Sequence, residues 1–169
     1  MMVRLIFSII LLAGISLISA TWIPAIAILG VRPDLGLLAV VWLAYRTGPV
    51  EGSSVAFVSG LVDDAMSAAP LGFNAAVKTM MAWIASFLHG SVHLDRILLP
   101  IVIGAGSTIL KALWSTFLSL LFGGRLRSYD FTGKTLWIEV AYNAVLAPLF
   151  FAILGGLFSL VENRRRGPK

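Results

Sequence analysis

Apolar residues run through this chain in long blocks, and the breaks between blocks fall where glycine, proline and charge cluster. The clusters at 30–33, Gly48-Pro49, Pro70, Gly90 and Gly123-Gly124 are turn or helix-end signals. Between them the blocks predict helical spans at about 5–29, 34–46, 49–67, 71–89, 96–122 and 134–161. The second block has 13 residues, roughly 20 Å of helix against about 30 Å of bilayer hydrocarbon. It either re-enters or spans with local thinning, with Arg32 and Arg46 reaching outward.

Composition turns this pattern into a class. Of 169 residues, 59% are hydrophobic and 12% charged, about half the charged share of a soluble domain. The reading is an all-α integral membrane protein: a six-helix transmembrane bundle, with residues 1–169 forming a single transmembrane domain. The net charge of +5 comes from basic residues at span ends and in short loops. That is positive-inside anchoring at membrane lipid, not the basic stripe of a nucleic-acid binder. Six spans with both ends in the cytoplasm put Arg4, Arg46, Arg96, Arg164, Arg165, Arg166 and Lys169 inside. Arg32, Arg125, Arg127 and Lys134 then lie outside, seven against four. Five spans give the same tally, so charge places the C-terminus in the cytoplasm without fixing the span number. Ile18-Ser19-Ala20 faintly resembles a signal-cleavage site, but the apolar run continues through Trp22 and Ile23. The first span is therefore expected to be retained.

An ionisable group at a helix centre in hydrocarbon costs roughly 2.5–3.5 kcal/mol on insertion scales. Asp63, Asp64, Lys78, Lys111 and Glu139 nevertheless fall within spans or at their edges, all in the outer half of the six-span arrangement. Asn74, Lys78, Ala82 and Ser86 share one helix face; Gly104, Ser107, Thr108, Lys111 and Ser115 share another; Glu139, Tyr142 and Asn143 lie together on the last span. Two lysines and three acids can thus form one paired cluster inside the bundle. Its role is open among fixing helix register, binding a small ligand and meeting a partner. Gly52, Ala56 and Gly60 repeat every four residues, which suits close helix packing within the chain or docking of another subunit.

Catalytic signals are weak. Adjacent carboxylates such as Asp63 and Asp64 point to different faces of a helix, and nothing completes a metal shell. His89 and His93 have ligand-like spacing, but Gly90 breaks the helix between them. No phosphate-cradling loop or nucleophile elbow is present, and without cysteine there is no thiolate site. No enzyme activity and no cofactor is expected.

The stretch 33–90 carries Pro33-Asp34-Leu35, then Gly48-Pro49-Val50-Glu51-Gly52, Gly60-Leu61-Val62-Asp63 and Pro70-Leu71-Gly72-Phe73-Asn74-Ala75. In this order and spacing the pieces resemble the rod shape-determining protein MreD family, and overall length and span pattern extend the likeness over nearly the whole chain. The resemblance implies a bacterial inner-membrane protein of the cell-elongation complex. It would bind MreC and, directly or through it, join MreB, RodA and the partner transpeptidase in lateral peptidoglycan synthesis and rod shape. The family brings no catalytic residues, and only Asp63 matches its acidic position. In span pattern MreD is also similar to the S-components of energy-coupling-factor transporters, which implies a six-helix bundle with a possible outward-facing cavity. S-components dock through an Ala-x-x-x-Ala face in span one, where this chain offers Ser16 and Ala20.

The expectation is a non-enzymatic membrane scaffold. The alternatives are a small-molecule binding or transport subunit using Lys78, Lys111 and Glu139, and an intramembrane enzyme.

Overall fold

The structure is a computed structural model that describes residues 2–21, 27, 30–67, 69–90, 97–121 and 130–163. The described residues are all-helical in six elements: α1 (Met2–Thr21), α2 (Leu35–Thr47), α3 (Pro49–Met66), α4 (Phe73–Ser86), α5 (Leu98–Leu121) and α6 (Lys134–Asn163). These match the six predicted blocks in number and order. The predicted first span beyond Thr21, with Trp22 and Ile23, lies almost wholly outside the described residues, as do Gly123 and Gly124. The predicted fourth span ends early, because 87–90 turn out of the helix and Gly90 takes φ 73°.

Local chemistry sets the boundaries. Asp34 caps α2, its Oδ1 accepting the Leu37 N–H at 2.8 Å. Gly48, at φ 87°, closes α2 by donating its N–H to the Ala44 carbonyl and leads directly into Pro49 at the first turn of α3. A residue with a Cβ is strained at that φ, and proline is suited to a first helical turn. Gly72 enters α4 in the left-handed region at φ 93°.

The 13-residue α2 lies at the centre. All residues from 36 to 44 are buried, and α2 packs against each of the other five helices. Its sequence LGLLAVVWLAYRT is apolar all round, the pattern of a helix enclosed on every side. A helix that meets no lipid is not held to the bilayer thickness, which is why so short an element can serve here. Around it, Leu12, Val55, Met81, Ile103 and Leu154 supply core contacts from the other five helices. At its C-terminal end Phe158 packs edge-on against Trp42 and Phe7, with the Arg46 guanidinium 5.8 Å from the Trp42 ring centre.

Two α3 glycines set the closest approaches. A Cβ at Gly60 would meet the Ala75 backbone, coming within 2.6 Å of its nitrogen, and one at Gly52 would lie 2.6 Å from the Ala44 Cα. Ala56 between them is fully buried. The stripe Gly52, Ala56 and Gly60 is therefore taken up by α2 and α4 of the same chain. Docking of another subunit, its alternative reading, is corrected: no room remains on that face.

The outer surface is apolar. Val145 is 76% exposed, Leu120 74% and Ile10 65%, an oily coat that water does not tolerate over so wide an area. Residues Leu98–Leu121 and Lys134–Leu160 are long and apolar enough to cross a membrane. Only 28% of the apolar window in the latter is buried within the bundle, which argues against a soluble core helix.

Candidate functional site

Burying a lysine in apolar surroundings requires a counter-charge and hydrogen-bond acceptors. The structure provides both at the end of the bundle where α2 begins. Lys78, on α4, donates to Ser59 at 2.9 Å and Ser16 at 3.3 Å and pairs with Asp63 at 2.6 Å. Its ammonium passes close to Gly36, where a Cβ would stand 3.1 Å from Nζ. Beyond Gly36 lies a second group. Lys111, on α5, donates to Asp34 Oδ2 at 2.8 Å and to Glu139 Oε1 on α6.

Asn143 ties this second group to the helices. Its Oδ1 accepts the Asp34 N–H at 2.9 Å, and its Nδ2 donates to Thr108 Oγ1 at 2.9 Å. Thr108 in turn donates to the Gly104 carbonyl. Gly104 lets α5 and α6 close together, since a Cβ there would lie 2.9 Å from that of Ala147. One amide side chain thus sets the register of α5, α6 and the start of α2.

Of the residues the sequence singled out, Asp63, Lys78, Lys111, Glu139 and Asn143 come together. Asp64 does not join them. Its carboxylate accepts the N–H groups of Gly72 and Asn74 at 2.8 Å and of Ala75 at 3.3 Å, and so caps α4. The expected single cluster of two lysines and three acids is corrected accordingly: Asp34 occupies the place expected of Asp64. A helix turns about 100° per residue, so two adjacent acids serve different neighbours. Ser16, Ser59 and Gly36 were missed as well. Asp34 carries an N-cap signal, an acid just ahead of an apolar run, but nothing in its sequence context announces Lys111, 77 positions away.

At the opposite end, Arg4 on α1 and Glu51 in the first turn of α3 form a two-point ion pair. His89 Nδ1 lies 2.7 Å from the Tyr45 carbonyl, a contact that joins the end of α4 to α2. Its predicted companion His93 lies outside the described residues. Among the described residues no group of three or more His, Asp or Glu side chains is placed to hold a metal ion.

The Lys111 group forms one wall of an open cleft of about 790 Å³. Val77 and Leu136 give the cleft apolar surface, and Arg32 and Asp130 stand exposed at its rim. The side chain and backbone N–H of Thr132 hydrogen-bond to Asp130 and hold its carboxyl below the usual range. What the arrangement does chemically is hold charge: Lys78 is paired with Asp63, and Lys111 with Asp34 and Glu139.

No curated protein and no solved structure matches the chain. A family does: that of the rod shape-determining protein MreD, over residues 1–156 of the 169. The match takes in every helix that builds the polar interior, and the chain belongs to the MreD family of membrane-associated rod shape-determining proteins.

Proposed function

We propose that this protein is a non-enzymatic inner-membrane scaffold of the bacterial cell-elongation complex. It binds MreC and through it helps organise lateral peptidoglycan synthesis with MreB, RodA and the transpeptidase. The observation that carries this reading is that the ionisable interior closes on itself. Lys78 and Lys111 are each matched to carboxylates on other helices, so the chemistry of the bundle is spent on locking six helices into one register. A rigid body with an apolar coat is what a partner's transmembrane helix needs to lean on.

The proposed orientation has both chain ends in the cytoplasm and the Asp34 end of α2 facing outward. Arg4 and Arg46 then lie at the inner boundary, as positive-inside anchoring requires. Since the α3 stripe is filled, the proposed seat for the MreC helix moves to α6. There Ala152 and Gly156 are exposed at a spacing of four, and a Cβ at Gly156 would meet nothing within 4 Å. Against the transport alternative, Ser16 is buried against Lys78 and is not on a free docking face.

The test is purification of the tagged protein from its native membranes in mild detergent. Near-stoichiometric recovery of MreC with cell-wall synthases is the expected result. Recovery of an ATPase module and no MreC would reject the scaffold reading in favour of transport.

A further inference from the structure

The two halves of the α5–α6 hairpin are held in different ways. In the half away from Asp34, Ile103, Phe151, Leu154 and Phe158 belong to the apolar core. The division falls at Gly104 and Ala147, where a Cβ on the glycine would lie 2.9 Å from that of the alanine. In the half nearer Asp34 the buried side chains are mostly polar, Thr108, Lys111, Ser115, Glu139 and Asn143 among them. Ala112 and Leu136 are buried there outside the core cluster, and Trp114, Leu118 and Leu146 reach it as partly buried side chains.

Both helices are weakened at this same level. Pro148 lies inside α6 and has no N–H, so the Ala144 carbonyl loses its usual helical donor and is crowded by the ring. Opposite, α5 carries Gly104 and Gly106 in its interior. Ser107 and Thr108 both turn their hydroxyls back onto the Gly104 carbonyl, at 3.1 and 2.8 Å, a contact that favours bending. Prolines and glycine–serine runs are where helices kink. Two such points facing each other make a hinge across the hairpin.

On the far side of this hinge, Asp34 ties the hairpin to α2 twice. Its carboxylate accepts from Lys111 on α5, and its N–H donates to Asn143 on α6. Each of these groups also has a second partner on its own side. Lys111 keeps Glu139 and Asn143 keeps Thr108, both within the hairpin. Asp34 keeps the Leu37 N–H. Lys78 flanks it across Gly36, where a Cβ would stand 3.1 Å from Lys78 Nζ and 3.6 Å from Asp34 Oδ1. Lys78 itself is held by α1 and α3, through Ser16, Ser59 and Asp63. Parting Asp34 from the hairpin therefore strands neither an ammonium nor a carboxylate, and stranding is what makes a buried pair costly to break. The Asp34 side chain is 31% accessible, so water can take the place of Lys111.

From this arrangement we infer that the half of α5 and α6 nearer Asp34 is a hinged arm, with Asp34 as its latch. Closed, the bundle is the rigid body described above. Open, the arm tilts away from α2 and α4. The cleft then widens, since Phe73, Asn74 and Val77 line it from the α4 side and Thr135, Leu136 and Glu139 from α6. The seat proposed at Ala152 and Gly156 lies on the anchored half of α6, so the inference goes beyond the scaffold reading.

The experiment measures distances between spin labels by pulsed electron double resonance in the full-length protein in mild detergent. The chain has no cysteine, so introduced cysteines are labelled uniquely. Leu71→Cys with Lys134→Cys reads the Asp34 end, and Val50→Cys with Leu160→Cys reads the other; all four positions are exposed. Lys134 begins α6 roughly 20 Å ahead of Pro148, so a tilt of about 15–20° carries it about 5–7 Å. Asp34→Asn keeps an N-cap residue on α2 and leaves Lys111 its Glu139. It should raise the share of the longer distance at the Asp34 end about two- to fivefold, the effect of losing a part-exposed ion pair. The pair at the other end should not change. Pro148→Ala restores the helical N–H and should narrow the parent's distribution at the Asp34 end, and in the double variant it should cancel most of the gain. A distribution indifferent to Asp34→Asn would overturn the latch, and one indifferent to Pro148→Ala would overturn the hinge. Both ends lengthening together would mean general loosening and would also reject the proposal. Pro148→Ala in the parent needs no latch variant, so the test stands even where Asp34→Asn folds poorly. No partner protein is involved, which keeps this outcome separate from that of the co-purification.

Discussion

Lys111→Met removes the one cation shared by Asp34 and Glu139 and keeps most of the side-chain volume. Taking one partner out of a buried ion pair costs about 3–5 kcal/mol, because the remaining charge is stranded. The two carboxylates do not weigh equally. The Asp34 side chain is 31% accessible, so water shares its charge and its contribution is small. The Glu139 side chain is 9% accessible and carries most of the penalty. The loss should thus fall near the lower bound, about 3 kcal/mol. In a chain of this length each kcal/mol lowers the unfolding temperature by about 2–4 °C, so the variant should melt roughly 6–12 °C below the parent. Thermal unfolding in mild detergent, followed by the fluorescence of the five tryptophans, reads this directly. The double variant Lys111→Met/Glu139→Gln removes the stranded charge and should regain at least about half of the loss, as coupled neighbours do. A single variant melting within about 2 °C of the parent would refute the buried triad. A double variant no better than the single would show that packing, not charge, had been lost.

Further outcomes follow from the same geometry. Gly60→Ala drives a Cβ into the Ala75 backbone and should cost about 1–3 kcal/mol, whereas Gly106→Ala meets nothing within 4 Å and should be neutral or stabilising, both read as unfolding temperature. Asp64→Ala strips the cap from α4 and should cost about 0.5–2 kcal/mol, with Asp64→Asn recovering part of it in the same melt. Gly156→Leu should leave the melt within about 1 kcal/mol of the parent, as surface changes do, while lowering the recovery of MreC in co-purification. Unchanged recovery would remove α6 as the proposed seat.

The sequence disclosed elements and costs more readily than partners. Gly48-Pro49 and Gly72 could be read as boundaries because a positive φ and a proline first turn are local matters. Lys78, Lys111 and Glu139 stood out because charge in hydrocarbon is expensive wherever it occurs. Which acid meets which lysine is not local. Asp63 and Asp64 differ by one position and part company, one to Lys78 and one to the α4 backbone. Asp34 reaches Lys111, and Arg4 reaches Glu51, only through the packing of helices far apart in the chain. The stripe Gly52, Ala56 and Gly60 announced close approach without saying to what, since small residues look the same whether the neighbour belongs to the chain or to another.

The second block shows where length stops being informative. Comparison with bilayer thickness applies to a helix facing lipid, while the all-round apolar pattern of α2 points to enclosure. In the proposed orientation, the Arg46 end of α2 lies at the inner boundary, and its roughly 20 Å leave Asp34 about 10 Å short of the outer surface. That shortfall is where the cleft opens and where both lysines find their carboxylates. The short helix and the buried charges are then one feature. A full-length α2 would fill the cleft with backbone and apolar side chains, and Lys111 and Glu139 would sit in hydrocarbon without Asp34. A short one admits water and hydrogen-bond partners to that depth, which lowers the cost of ionised side chains there.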